Sequence, residues 1–179
     1  MNTELSSKSI PKIKKSASKI AKKHTKGFEK ELVYALEFLM QKPKSWLAQS
    51  EVIKAIGITG SSDSVPYLLD LSHQEYDASI IYRDLAFSIC MLTDIKDKKL
   101  SYFDNILNSY NHMSISGACS ALLYSGFIPK NEDIINNKIK NNDFLANKLD
   151  KVLVSGKVFD AQTLLKSLYK KNDKLYYFI

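Results

Sequence analysis

Small and apolar residues return at a spacing of 33 along the middle of this chain. That recurrence restricts the fold more than any single motif does. Ala55-Ile56 aligns with Ser88-Ile89 and then with Ala121-Leu122. Under the same offset Val52 coincides with Leu85 and Ala118, and Ile53 with Ala86 and Cys119. A fourth copy, after a step of 30, brings Lys151-Val152 to the same place, preceded by Leu149. The break after each copy reads Gly60, Thr93, Gly126 and Gly156. A further apolar-periodic stretch follows each break: Val65/Leu68/Leu69, Leu100/Phe103/Ile106/Leu107, Ile134/Ile135/Ile139 and Leu164/Leu165/Leu168. Steps of three and four residues predict helices. A helical hairpin with apolar residues on two sides cannot bury both alone, and stacking against its neighbours closes the core.

Local punctuation agrees with helices. In GFEKELVYALEFLMQKP a stripe of Phe28, Leu32, Ala35, Leu36 and Leu39 predicts one helix, ended by Lys42-Pro43. In SWLAQSEVIKAIGITG, Ser45 is placed as an N-cap, and Trp46, Val52, Ile53 and Ile56 are expected to face inward. That helix is expected to stop over Gly57 to Gly60. Pro66 suits the first turn of the next helix, where its missing N–H loses no bond. Glycine and proline are scarce, six and four in 179 residues, which favours helices over a strand-and-turn architecture.

The AIGITG helix ending, the short turn and the VPYLL opening resemble the HEAT and armadillo-like helical repeats. IIYRDLAFSICMLTD is similar to the first helix of a HEAT unit, with Arg83 where that family often carries a basic residue. The resemblance runs from about Ser45 to Tyr169 and implies an all-α fold: a short right-handed α-solenoid of about four HEAT/ARM-like hairpins. Asn131 to Asn142 and Lys151 depart from the pattern. The aromatic end Tyr176-Tyr177-Phe178-Ile179 is expected to cover the open edge of the last unit.

The net charge of +7 is unevenly placed. Residues 1–27 hold eight lysines against one acid, Glu4, while residues 28–179 balance 18 basic and 18 acidic side chains. The expected organisation is therefore a basic, flexible N-terminal arm over 1–27 and a helical-repeat domain over 28–179. Ile13, Ala17, Ile20 and Ala21 recur at helical spacing in the arm, so it is expected to become an amphipathic helix on a partner. From Asp63 to Asp104, eight acids face only Arg83, Lys96, Lys98 and Lys99. Such a field steers basic partners and discourages acidic ones.

Chemistry-bearing motifs are weak. GITG, Gly57–Gly60, matches the backbone clamp of KH domains but lacks flanking strands, so it reads as a helix stop. Cys90 and Cys119 sit in apolar stretches and read as small core residues. His24, His73 and His112 have no zinc-ligand spacing, and no phosphate-binding glycine loop is present, so neither metal nor cofactor is expected. Arg83, the one arginine, is expected to pair with a carboxylate such as Asp77 or one beside Asp84. Two cysteines without a CxxC pair, no secretory signal pattern and no long apolar run set a cytoplasmic expectation without a membrane span.

These features point to a non-catalytic module that binds another protein. In HEAT-like stacks the second helices line the concave face, and there Tyr67, Asp70, Ser101, Asp104, Asn105 and Asn108 are the candidate partner-binding residues. Aromatic, acidic and amide side chains suit a basic protein surface. A small helical repeat of this kind is similar to bacterial immunity proteins that neutralise a cognate toxin, often a basic nuclease. The alternative is a HEAT-like nucleic-acid binder using Lys12, Lys14, Lys15, Lys19, Lys22 and Lys23.

Overall fold

The computed structural model describes residues 4–107, 111–126, 152–154 and 157–159. Up to Gly126 the described chain is all-α. A short 3-10 turn, Glu4–Ser6, leads into α1 (Ile10–Lys22), α2 (Glu29–Met40), α3 (Trp46–Thr59), α4 (Val65–Ser72) and α5 (Ile80–Cys90). A π-turn over Met91–Ile95 extends α5, and α6 (Ser101–Leu107) and α7 (His112–Ser125) follow.

The odd-numbered helices form a row in which α1 packs on α3, α3 on α5 and α5 on α7. Against that row lie α2 on α3, α4 on α5 and α6 on α7. The residues related by the 33-residue offset are buried on the helices of this row. Val52, Leu85 and Ala118, with Ala55, Ser88, Ala121, Ile56, Ile89 and Leu122, are none of them more than 1% exposed. Each fully buried Val, Leu or Ile of this set stabilises by roughly 1.5–3 kcal/mol.

The polar positions in this core are matched. The Ser88 hydroxyl donates to the Ile53 carbonyl at 2.8 Å, joining α5 to α3. Ser50 of α3 donates to the Asp84 carboxylate, which also receives the Arg83 guanidinium at 2.8 Å. Arg83 therefore pairs with its own neighbour, not with Asp77, because Asp84 is turned inward between α3 and α5 and needs a countercharge there.

The N-terminal segment differs from the detached arm expected of its charge. Ile13, Ala17, Ile20 and Ala21 of α1 are buried in one core cluster with α2, α3, α4 and α5, and Leu5 joins them. The lysines project away and the apolar stripe finds its surface on α3 of the same chain. Tertiary burial outweighs the lysine repulsion that opposes an isolated helix.

Three further local expectations change and one holds. The Ser45 side chain does not cap α3; its hydroxyl points back to the Lys42 carbonyl at 2.7 Å, closing the end of α2. Trp46 is 39% exposed instead of facing inward. The α3 stop falls inside the expected Gly57–Gly60 window: Gly57 is still helical, the helix runs on to Thr59, and the Gly60 N–H closes it on the Ile56 carbonyl. Thr93 is no break, since the π-turn carries the helix past it.

Beyond Gly126 the described residues form a two-stranded antiparallel ladder, β1 (Val152–Val154) with β2 (Lys157–Phe159), in which Val152 faces Phe159 and Val154 faces Lys157. The fourth helical copy placed on Val152 is thereby corrected to strand. The β-branched and aromatic residues on either side of Ser155-Gly156 explain it, since such a pattern favours a hairpin over a helix. Leu149, Lys151, the stretch 131–142, the apolar sets at 134–139 and 164–168 and the aromatic C-terminus lie outside the described residues.

Candidate functional site

The exposed side of α2 and α4 carries aromatic and acidic side chains together. Tyr34 is 64% exposed. Glu37 is also exposed and follows it by three residues, so the two share a face of α2. Glu37 lies close enough to Tyr67 of α4 that burial first, and then this charge, push the phenol up to about 12. Asp70 stands exposed one turn beyond Tyr67. Tyr67 in turn acts on Tyr76, where burial, Tyr67 and Tyr82 together raise that phenol to about 12.

At Tyr76 the surface opens into a cleft of about 460 Å³ between the α2–α3 and α4–α5 connections. Trp46, Met40 and Tyr76 are among its apolar walls; Gln49, Glu75 and Asp77 are among its polar ones. Both sides are held in place. The Gln49 amide donates to the Leu39 carbonyl at 2.8 Å, and Ser45 closes the same turn. The Tyr76 hydroxyl donates to the Leu71 carbonyl at 2.8 Å, while its backbone N–H donates to the Tyr82 hydroxyl at 3.0 Å. A cleft whose walls are ordered beforehand loses less entropy on binding.

Of the sequence-predicted residues, Asp70, Ser101 and Asn105 are exposed, and Tyr67 and Asp104 are half-buried. Asn108 lies outside the described residues. Both helices bearing them, α4 and α6, rest on α5. At the start of α6, Asp94 from the π-turn accepts the backbone N–H groups of Tyr102 at 3.0 Å and Phe103 at 2.6 Å. Burial raises the Asp94 carboxyl despite these bonds, with Asp104 and Asp97 adding to the effect. Sequence reasoning missed Tyr34, Glu37 and the cleft residue Trp46. Tyr34 and Glu37 were visible as the non-stripe positions of α2, whereas the cleft needs two connections brought together in space.

A second charged surface lies on α1. Pro11, Lys14, Lys15, Ser18, Lys19, Lys22 and Lys23 line an open groove of about 520 Å³. Both free thiols are buried, and burial pushes Cys119 up to about 12 and Cys90 well above its ordinary value. Among the described residues no group of three His, Cys, Asp or Glu is placed to hold a metal ion, and no helix is long and apolar enough to cross a membrane. Compared with known proteins, the chain matches no family model, no curated protein and no solved structure.

Proposed function

We propose that this chain is a non-catalytic protein-binding module, a short right-handed α-solenoid of HEAT/armadillo-like hairpins whose partner is a protein with a basic surface. The most specific form of this reading is an immunity or inhibitor protein that neutralises a cognate, nuclease-type toxin. The solenoid reading is supported by the row α1–α3–α5–α7 and by equal burial of residues 33 apart. One observation carries the binding reading: Tyr34, 64% exposed, begins a strip that continues through Glu37, Tyr67 and Asp70. Exposed aromatics beside carboxylates are the composition of a binding hot spot for basic proteins.

The test is co-purification from the native source with the intact chain and with the Glu37→Lys/Asp70→Lys variant. A basic protein retained by the former and lost, at least tenfold, by the latter is the expected result. Equal recovery with both removes the reading.

The basic groove on α1 favours a second reading, nucleic-acid binding. Since α1 is anchored by Ile13, Ala17 and Ile20, its lysines form a fixed ridge able to follow a phosphate backbone. Deleting residues 1–27 would also remove core side chains, so Lys14→Gln, Lys15→Gln and Lys19→Gln are the cleaner probes. Duplex binding at low salt should weaken with each change, and the log–log salt slope should fall by about 0.9 per lysine. An intact chain that ignores both duplex and single strands at low salt excludes it.

A further inference from the structure

The cleft between the α2–α3 and α4–α5 connections is unused by the strip described above, and its chemistry is more specific. Trp46 and Tyr76 supply aromatic surface, Glu75 and Asp77 supply exposed carboxylates from one wall, and Lys44 stands on the lining of the other. Gln49 lines the same cleft while only 4% exposed. Its amide nitrogen donates to the Leu39 carbonyl of α2 and, at 3.4 Å, to the Lys42 carbonyl just beyond it, while among the described residues no hydrogen bond reaches its amide oxygen, which stays in contact with solvent. An aromatic wall, two carboxylates and an amide oxygen with no hydrogen bond among the described residues together suit a planar, multiply donating cation.

We infer that this cleft receives an arginine side chain presented by the partner protein. The inference rests on the protein-binding reading and names the anchor within it. The guanidinium stacks on the indole or phenol ring, its outer N–H groups meet Glu75 and Asp77, and an inner N–H reaches the Gln49 amide oxygen. Arginine is favoured over lysine because its fork serves several acceptors at once and its plane matches an aromatic wall. Lys44 opposes any cation that enters and so moderates affinity.

Trp46 is the chain's single tryptophan and reports on the cleft directly. The probe is an acetylated, amidated Gly-Arg-Gly-Arg-Gly peptide, compared with the same peptide carrying citrulline, which keeps the shape and removes the charge. The arginine peptide should shift Trp46 emission saturably, and the citrulline peptide should bind at least tenfold more weakly. Glu75→Gln/Asp77→Asn, on exposed positions that do not disturb the core, should weaken the arginine peptide about tenfold. Lys44→Glu should strengthen it several-fold. No saturable response, equal responses to the two peptides, or indifference to both variants overturns the inference. If Glu37→Lys/Asp70→Lys abolishes partner capture while Trp46 ignores the arginine peptide, the protein-binding reading stands and the arginine anchor falls. If partner capture is indifferent to that charge reversal, the strip reading falls whatever Trp46 reports.

Discussion

Gly57 of α3 and Ser88 of α5 touch so closely that a carbon added to Gly57 would lie 2.5 Å from the Ser88 hydroxyl oxygen and 2.6 Å from its Cα. The glycine sits inside a helix, where it is normally unfavourable by about 1 kcal/mol relative to alanine. Its presence is therefore explained by the crossing of α3 and α5 and not by helix termination. The same device recurs at the next crossing, where a carbon on Gly117 of α7 would lie 1.9 Å from the Arg83 carbonyl oxygen of α5.

Alanine at either position is expected to destabilise the chain, because the obstructing atoms include backbone and the helices must separate. Overpacking of this kind costs about 1–3 kcal/mol, more than the gain in helix propensity returns. Gly117→Ala should be the more damaging, having the shorter contact. Urea unfolding followed by circular dichroism measures both, and unchanged midpoints would show that the crossings are looser than described. Gly57→Ala combined with Ser88→Gly should recover part of the loss, as expected of residues in contact.

A second prediction concerns α1, whose charge and burial point in opposite directions. Ile13 and Ile20 are fully buried, at 0% and 2% exposure, and each is expected to cost about 2–5 kcal/mol on truncation to alanine. Lys15→Ala, on the exposed face of the same helix, should change stability by less than about 0.5 kcal/mol. Thermal or urea unfolding of the three variants separates the cases. If Ile13→Ala and Ile20→Ala are as silent as Lys15→Ala, α1 is an appendage after all.

How much of this was legible in advance depends on what each residue answers to. Buried positions of the α3, α5 and α7 helices follow from local periodicity, so Val52, Leu85 and Ala118 were readable from spacing alone. The four apolar residues of α1 were readable too, but their partner was not. Whether Ile13 and Ile20 meet α3 or another molecule is a long-range question that eight lysines obscured. At Thr93 the sequence offers no glycine or proline, and a π-turn passes where a helix end was expected. Asp94 in that turn finds its reward only eight and nine residues later, at the N–H groups of Tyr102 and Phe103. The strip residue Tyr67 was found because it is a polar-edged position on an apolar helix. The cleft escaped because Trp46 and Tyr76 belong to different connections, and a large aromatic beside Ser45 reads as core.

Two carboxylates, Asp84 buried and Glu29 half-buried, should show opposite pH signatures. Burial raises the Asp84 carboxyl even though Arg83, the Ser50 hydroxyl and Lys54 all pull it down. The folded chain thus holds this proton to higher pH than the unfolded chain does, where the value is about 3.9. Its contribution to stability is full below that pH and is lost as pH rises through the folded value. Glu29 behaves conversely. Burial raises it, but hydrogen bonds from the Ser64 hydroxyl and from the Ser61 N–H and hydroxyl, with the Lys96 charge, more than offset this and leave its carboxyl below the ordinary value. Its contribution is present above the unfolded value, about 4.3, and fades as pH falls through the folded one. Measured against Asp84→Asn, the wild-type chain should therefore lose relative stability on going from pH 3.5 towards neutrality. Measured against Glu29→Gln, it should gain over the acid part of the same range. Urea midpoints at several pH values decide both, and two flat differences, or two of the same sign, would contradict the burial of Asp84 between α3 and α5 and the bonding of Glu29 of α2 to Ser61 and Ser64 of the α3–α4 turn.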